Sequence, residues 1–434
     1  MNTSRAATFA WLGVGLLAAL GVLGLNLGGP DSWRKLGVPV IEPRWTDTRI
    51  ITAGAECDER GLDPLVENPC DRTHRPLNYP RVWVTIASAI DRSVVALATI
   101  FSLVYLIGVT AAFRLLQFRV VALIVFALAI FGPPALLAFE RGNNDLLVVG
   151  LVAVGTCLAA QRQSARFVAG AVVLGLAAFL KLFPVIALPV LFLTAWSDED
   201  AARRRRHLLV ASVATTAVLV AFAVQASDIK DIFDNTPRPS VYNYGYGAVD
   251  EFVATNGFAG LFGDGAAYYL VIVLLLCLIP VLAFARPPQL QLRGVVPAAR
   301  AAARSEWGAL FIAGILTFAA TMFLDNLPYK LTVLVLLLPL SVHLLQDGDM
   351  HPRADRRVAA ALVALIGGLW LVVGLQLSLI GKGGGFGWPI PALGLSVALA
   401  FVLCLAILGL SVVLAVRVGE RLAPETGPTV PAAK

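Results

Sequence analysis

Long apolar stretches alternate with short polar ones along most of this chain. The runs Ala6–Leu27, Ser93–Phe113, Val120–Phe139, Leu208–Ala226 and Leu393–Val416 approach or exceed the ~18 residues a helix needs to cross a hydrocarbon layer. None shows the apolar–polar alternation of a membrane β-barrel strand. The pattern predicts an all-α, polytopic membrane protein of about 12 helices. No internal repeat or low-complexity linker interrupts it, so residues 1–434 read as a single integral membrane domain.

Composition strengthens that reading. With 58% hydrophobic and 14% charged residues, the chain has too little polar surface for a water-soluble globule of its length. Its net charge of +6 is spread over many short loops, with no aromatic-studded basic stripe, which argues against a nucleic-acid partner and leaves the lipid bilayer as the surroundings. The arginines act instead as topology signals. Arg114 and Arg119, Arg162 and Arg166, Arg203 to Arg206, Arg286 to Arg304 and Arg353 to Arg357 mark one side, so a multi-pass protein of the cytoplasmic membrane is expected, with both termini cytoplasmic. Arg5 and the apolar run after it look like a signal peptide. No small-residue cleavage pattern precedes Gly29-Pro30, so the first helix is expected to stay.

Two polar segments stand out on the other, extracytoplasmic side, residues 29–92 and 227–265. Long loops in a compact protein are more often working parts than connectors. The first carries Cys57 and Cys70, which an oxidising compartment would join in a disulfide or leave as two thiols. Cys157, Cys277 and Cys404 lie in apolar runs and read as small fillers. Trp45 to Cys57 predicts a short amphipathic helix begun by Thr46 or Asp47 and ended by Gly61. Laid on the membrane surface, it would hold Asp47 where a lipid headgroup meets water, though Asp47 is also a natural N-cap. Farther along, Asn78 and Tyr79 sit in an extended stretch before Pro80, where Tyr79 suits either a sugar ring or the membrane surface.

Charge inside the apolar runs is sparse and pointed. Phe167 to Trp196 is interrupted at Lys181-Leu-Phe-Pro184, and basic residues flank both ends. Two short helices of about 14 residues would rise only ~21 Å each against a core of ~30 Å, so the break at Lys181 should lie below the surface. A lysine there needs a partner, a snorkelling route or an anionic ligand. Glu140-Arg-Gly-Asn-Asn-Asp145 packs two carboxylates, Arg141 and two amides into one turn, with Gly142 free to turn left-handed and Asp145 facing a helix N-terminus. An Asp cap and a local Glu140–Arg141 pair are the plainer alternatives. Late in the chain, Asp325 to Lys330 repeats the theme, with Lys330 at the head of a span as a phosphate contact or an interfacial anchor. Tyr242 to Tyr246, with Asp250 and Glu251, form an aromatic and acidic mixture suited to carbohydrate.

The run Gly142-Asn-Asn-Asp-Leu-Leu, followed by Gly175-Leu-Ala-Ala-Phe-Leu-Lys-Leu-Phe-Pro184, resembles the turn and the lysine-containing helix of glycosyltransferase family 87. The likeness extends over roughly residues 47–196, including Asn78-Tyr-Pro80. It implies a GT-C fold and transfer of a hexose, mannose favoured, from a polyprenyl-phosphate sugar to a glycan or glycolipid acceptor, with a site facing outward. By the same resemblance Asp47 is the catalytic base and Lys181 and Lys330 bind the donor phosphate; Arg141 is expected to join them, and Asn143, Asp145, Asn78 and Tyr79 to contact substrate. Arg81 stands where relatives often carry a second proline, and Asn143 where glutamine is common. Displacement at an anomeric carbon asks for one carboxylate and nearby cations. No nucleotide-cradling glycine loop and no metal cluster is legible, so neither cofactor nor metal is expected. A transporter or flippase, or a member of the fold that has lost its chemistry, are the rival readings, since broken helices also build transport sites.

Overall fold

The computed structural model describes residues 5–161, 163–236, 292–322, 328–346, 351–382 and 390–422, which contain helices and no strand. Among the described residues, seven stretches are long and apolar enough to cross a membrane: Arg5–Leu27, Val94–Phe113, Val120–Arg141, Ala201–Val224, Pro328–Gln346, Arg353–Ser378 and Leu399–Leu422. Four shorter apolar helical stretches accompany them. The protein is therefore an all-helical, polytopic membrane protein.

The first helix, α1 (Arg5–Leu27), turns Phe9, Leu12, Leu16, Leu17, Leu20 and Leu23 outward, as a helix bathed in lipid does. Its Trp11 is fully buried and donates to the Leu116 carbonyl at 3.1 Å, so the indole N–H is satisfied where no water would satisfy it. The 29–92 segment then carries α2 (Gly29–Lys35), α3 (Thr46–Glu59) and α4 (Val82–Ala89). The helix expected between Thr46 and Gly61 is α3, and Gly61 follows it at φ +78°. Its cap differs from the expectation. The N-cap is Trp45 in the left-handed region, with no side-chain cap bond, so Asp47 sits inside the first turn and its carboxylate is released for other work.

After α5 (Val94–Phe113), the run Val120–Phe139 proves to be two helices, α6 (Val120–Phe131) and α7 (Pro133–Arg141). Pro133 occupies the first turn of α7, where a missing N–H costs nothing, so the Gly132-Pro133-Pro134 step restarts the helix. Next come α8 (Asp145–Ala159) and α9 (Ser164–Leu180). The predicted break follows α9, but its second arm is not one helix of 14 residues. It is a 3₁₀ turn at Phe183–Ala187 and a short α10 (Pro189–Trp196). Pro184 and Pro189 each remove a backbone donor and so punctuate the arm twice.

Helices α5, α8 and α9 pack tightly because glycine lets their backbones approach. A Cβ on Gly150 would lie 2.3 Å from the Val104 carbonyl oxygen, and one on Gly170 would lie 2.5 Å from the Ala159 nitrogen. Small residues at helix crossings are how helices associate in a lipid solvent. The result fixes the start of α8 against the end of α9. Beyond α11 (Ala201–Val224) and the amphipathic α12 (Ala226–Asn235), α13 (Leu292–Ala302) and α14 (Glu306–Met322) lead to a buried 3₁₀ segment, Pro328–Leu337, and α15 (Leu338–Gln346). Two long helices, α16 (Arg353–Lys382) and α17 (Ile390–Leu422), close the order. Lys330 thus stands at the head of the Pro328–Gln346 span, in its 3₁₀ part. Cys277, Tyr242 to Tyr246, Asp250, Glu251 and Asp325 lie outside the described residues.

Candidate active site

The site is assembled where α3 meets the turn between α7 and α8. Gly142, at φ +59°, lets the chain reverse after α7, and a Cβ there would strike the Thr48 hydroxyl at 2.4 Å. Thr48 uses that closeness: its hydroxyl donates to the Gly142 carbonyl at 2.6 Å. The Trp45 amide donates to the Glu140 carbonyl at 3.2 Å, and the Ile41 amide donates to the Glu140 carboxylate at 3.2 Å. Two segments almost a hundred residues apart in sequence are stitched along one turn.

Those stitches place Asp47 over Asn143. The Asn143 amide nitrogen donates to Asp47 Oδ2 at 2.6 Å, while its Oδ1 accepts the Asp145 backbone amide at 2.7 Å. The second bond fixes which way the buried amide faces, so its donor end is committed to the carboxylate. Asp47 leaves part of its surface open, but protein surrounds the carboxyl. Burial raises its pKa above the ordinary carboxylate value; the Asn143 bond and the cations Arg141, Arg75 and Lys181 oppose the rise. The balance is a carboxylate with more appetite for a proton than one in water has.

On the other side of Asn143, Lys181 ends α9 in extended backbone, φ −156° and ψ 138°. Its Nζ donates to Asn144 Oδ1 at 2.7 Å and lies 2.7 Å from Asp145 Oδ1. It also sits 5.1 Å from the centre of the Tyr79 ring and 6.0 Å from that of Phe183. With 15% of its side chain exposed, Lys181 turns inward to protein partners and does not snorkel to an interface. The break itself is supported by Trp83, whose buried indole donates to the Leu180 carbonyl at 2.8 Å. Burial, then the charges of Asp47 and Asp145, push the Tyr79 phenol well above its ordinary pKa, so it remains a neutral hydroxyl.

Several polar atoms here have no hydrogen-bond partner among the described residues: Asn78 Oδ1, Arg141 Nη1, Asn144 Nδ2 and Asp145 Oδ2. Asn144 and Asp145 are each 1% exposed. Buried polar groups are ordinarily paired, and a cluster of unpaired ones marks a place built for something polar. Arg141 keeps its Nε 3.3 Å from Glu140, so the plain local pair is present while one end of the guanidinium points elsewhere.

The sequence-predicted residues therefore divide. Asp47, Asn143, Asp145, Lys181 and Tyr79 are brought together, with Arg141 close enough to act on Asp47 through charge. Lys330 lies one residue beyond Tyr329, a buried tyrosine within electrostatic reach of Asp47, Asp145 and Arg141. Tyr329, Asn144 and Arg75 were missed. Arg75 donates to both Asp71 oxygens, at 3.1 and 3.2 Å, and to the Thr46 carbonyl at 3.1 Å, which ties it to the first turn of α3. The signal for Asn144 was its place beside Asn143 in the same turn; nothing in the sequence singles out Arg75. Cys57 and Cys70 are joined, with Cα atoms 5.8 Å apart.

The fold and site are those of a polytopic helical membrane protein in which a carboxylate, an orienting amide and a lysine are brought together. The sequence profile of glycosyltransferase family 87 matches residues 79–304, just over half of the chain, and the protein belongs to that family: it is a membrane glycosyltransferase. No curated protein and no solved structure matches the chain.

Proposed function

We propose that the protein moves a hexose, mannose favoured, from a polyprenyl-phosphate sugar to a glycan or glycolipid acceptor, on a GT-C fold. The observation that carries this reading is the Asp47–Asn143 contact, set one residue from the Lys181–Asn144–Asp145 cluster. Asp47 accepts the proton of the acceptor hydroxyl as that oxygen bonds to the anomeric carbon. The bond from that carbon to the phosphate oxygen breaks in the same step, so a single displacement inverts the centre. The departing polyprenyl phosphate carries the negative charge. Lys181 has three N–H donors; two are directed at Asn144 and Asp145, and the third is left for a phosphate oxygen. Arg141, with Nη1 unpaired, and Lys330 are assigned to the same phosphate, while Asn143, Asp145, Asn78 and Tyr79 are assigned to the sugars.

The Cys57–Cys70 bond favours an oxidising side for the 29–92 segment, and with the loop arginines it supports a cell-membrane protein whose site faces outward and whose termini face the cytoplasm. The test is transfer by the purified protein from a panel of polyprenyl-phosphate hexoses. Wild type should transfer one of them, and Asp47→Asn should lose at least about 100-fold, the contribution of a positioned general base. Full transfer by a folded Asp47→Asn protein overturns the assignment.

A further inference from the structure

A groove of about 600 Å³ runs along α3, and Asp47, Asp145 and Lys181 do not line it. Pockets that enclose small ligands span about 300–1,000 Å³. Thr46, Arg49, Thr52, Ala53 and Glu56 of α3 form one wall, and Asp71, Arg72, Thr73 and Arg75 form another. Its charges are unequally committed. Glu42 is paired with Arg34, Glu56 with Arg60, Asp71 with Arg75, and Arg92 with Glu59. Arg49 and Arg72 have no carboxylate within ion-pair distance among the described residues. Arg49 donates only Nε, to the Arg44 carbonyl at 2.8 Å, and Arg72 reaches the Glu42 carbonyl at 3.5 Å.

We propose that this groove is the acceptor site and takes a saccharide bearing an anionic group, a reading that rests on the glycosyl transfer proposed above. Arginine guanidinium presents a planar fork of donors matched to carboxylate or phosphate oxygens. Arg49 and Arg72 supply two such forks without a counter-charge of their own. The hydroxyls of Thr46, Thr52 and Thr73 already donate inward, to Pro43 O, Arg49 O and Asp71, which leaves their lone pairs to accept sugar hydroxyls. Arg75 joins the groove to the reaction centre. It lines the groove, donates to Thr46 O, and acts on Asp47 through charge. An acceptor lying in the groove would pass its reacting hydroxyl over Arg75 and the first turn of α3 to Asp47.

The test uses the full chain in detergent and titrates mannose 6-phosphate, mannose and inorganic phosphate by calorimetry. Wild type should bind mannose 6-phosphate at least tenfold more tightly than either of the others. Arg72→Gln, at an exposed position where folding is undisturbed, and Arg49→Gln/Arg72→Gln should each weaken it, the double variant by tenfold or more. Asp47→Asn should bind as wild type does. Equal binding by the double variant overturns the proposal, as does inorganic phosphate binding as tightly as the sugar phosphate. Displacement of mannose 6-phosphate by phosphatidylglycerol vesicles assigns the groove to a lipid headgroup and overturns it too. Transfer with unchanged KM in the double variant, alongside an inactive Asp47→Asn, sinks the groove and leaves glycosyl transfer standing. Groove binding without any transfer by wild type leaves a site for an anionic saccharide but overturns its assignment as an acceptor site.

Discussion

Replacing Asn143 with alanine removes the one side-chain hydrogen-bond donor that the described residues direct at the Asp47 carboxylate, at 2.6 Å, while leaving the carboxylate in place. A hydrogen bond to a charged group contributes about 1.5–3 kcal/mol. Because this bond favours the ionised form, its loss makes the protonated form more stable by that amount. The ionised base then becomes roughly 10- to 150-fold rarer at any pH on the acid side of the profile. Burial already holds the Asp47 pKa above the ordinary value, so the sign is fixed: transfer rises as pH climbs through that pKa, and Asn143→Ala moves the rise to higher pH. Asn143→Asp should move it farther, since a second carboxylate replaces a donor. The assay is initial-rate transfer against pH with the protein's thermal midpoint as a folding control. An acid limb that stays in place in folded Asn143→Ala would refute the claim that this amide sets the basicity of Asp47.

Three further outcomes are expected. Lys181→Met leaves Asp145, 1% exposed, as an uncompensated buried carboxylate and should cost about 3–5 kcal/mol of stability, with Lys181→Met/Asp145→Leu recovering much of it in denaturant titration. Gly142→Ala puts a Cβ into the Thr48 hydroxyl at φ +59°; it should destabilise by about 1–3 kcal/mol and lower transfer, read by thermal unfolding and activity together. Cys57→Ser/Cys70→Ser opens a loop of sequence separation 13 and should cost about 3 kcal/mol, seen as a lower unfolding midpoint that matches reduced wild type.

The spans were legible because a run of apolar residues long enough to cross lipid has few other uses, and α1, α5 and α17 fall close to the runs that announced them. Val120–Phe139 was legible as a span, but hydropathy alone cannot register the restart within it; Gly132-Pro133-Pro134 carried that signal in backbone geometry. The break at Lys181 was legible from charge on both flanks. Its second arm was not, since a 3₁₀ turn and a short helix share the same apolar composition. At the site, residue types pointed to Asp47, Asn143, Asp145 and Lys181 one by one. Their mutual arrangement was hidden, because Asn143 was read as a substrate contact and nothing local reveals that its amide faces Asp47. Arg81 looked like a departure from a proline; in three dimensions it donates to Asp63 at 2.7 Å and to Asp228 at 2.8 Å, pinning α12 to the 29–92 segment. That role needs a partner 147 residues away, which no local pattern encodes.

The bond from Trp83 to the Leu180 carbonyl spans 97 residues, and the one from Asn143 to Asp47 spans 96. During synthesis the 29–92 segment leaves the ribosome long before its receptors exist. Loop closures of that length are slow relative to helix formation. Until Asn143 has been made Asp47 has no amide to face, and until α9 has been laid down and interrupted Trp83 has no carbonyl to hold. A nascent chain halted before Leu180 would carry Asp47 and Asn143 without Lys181 or the carbonyl that Trp83 holds, so the order of membrane insertion itself delays the appearance of a complete centre until the helical frame around it is built.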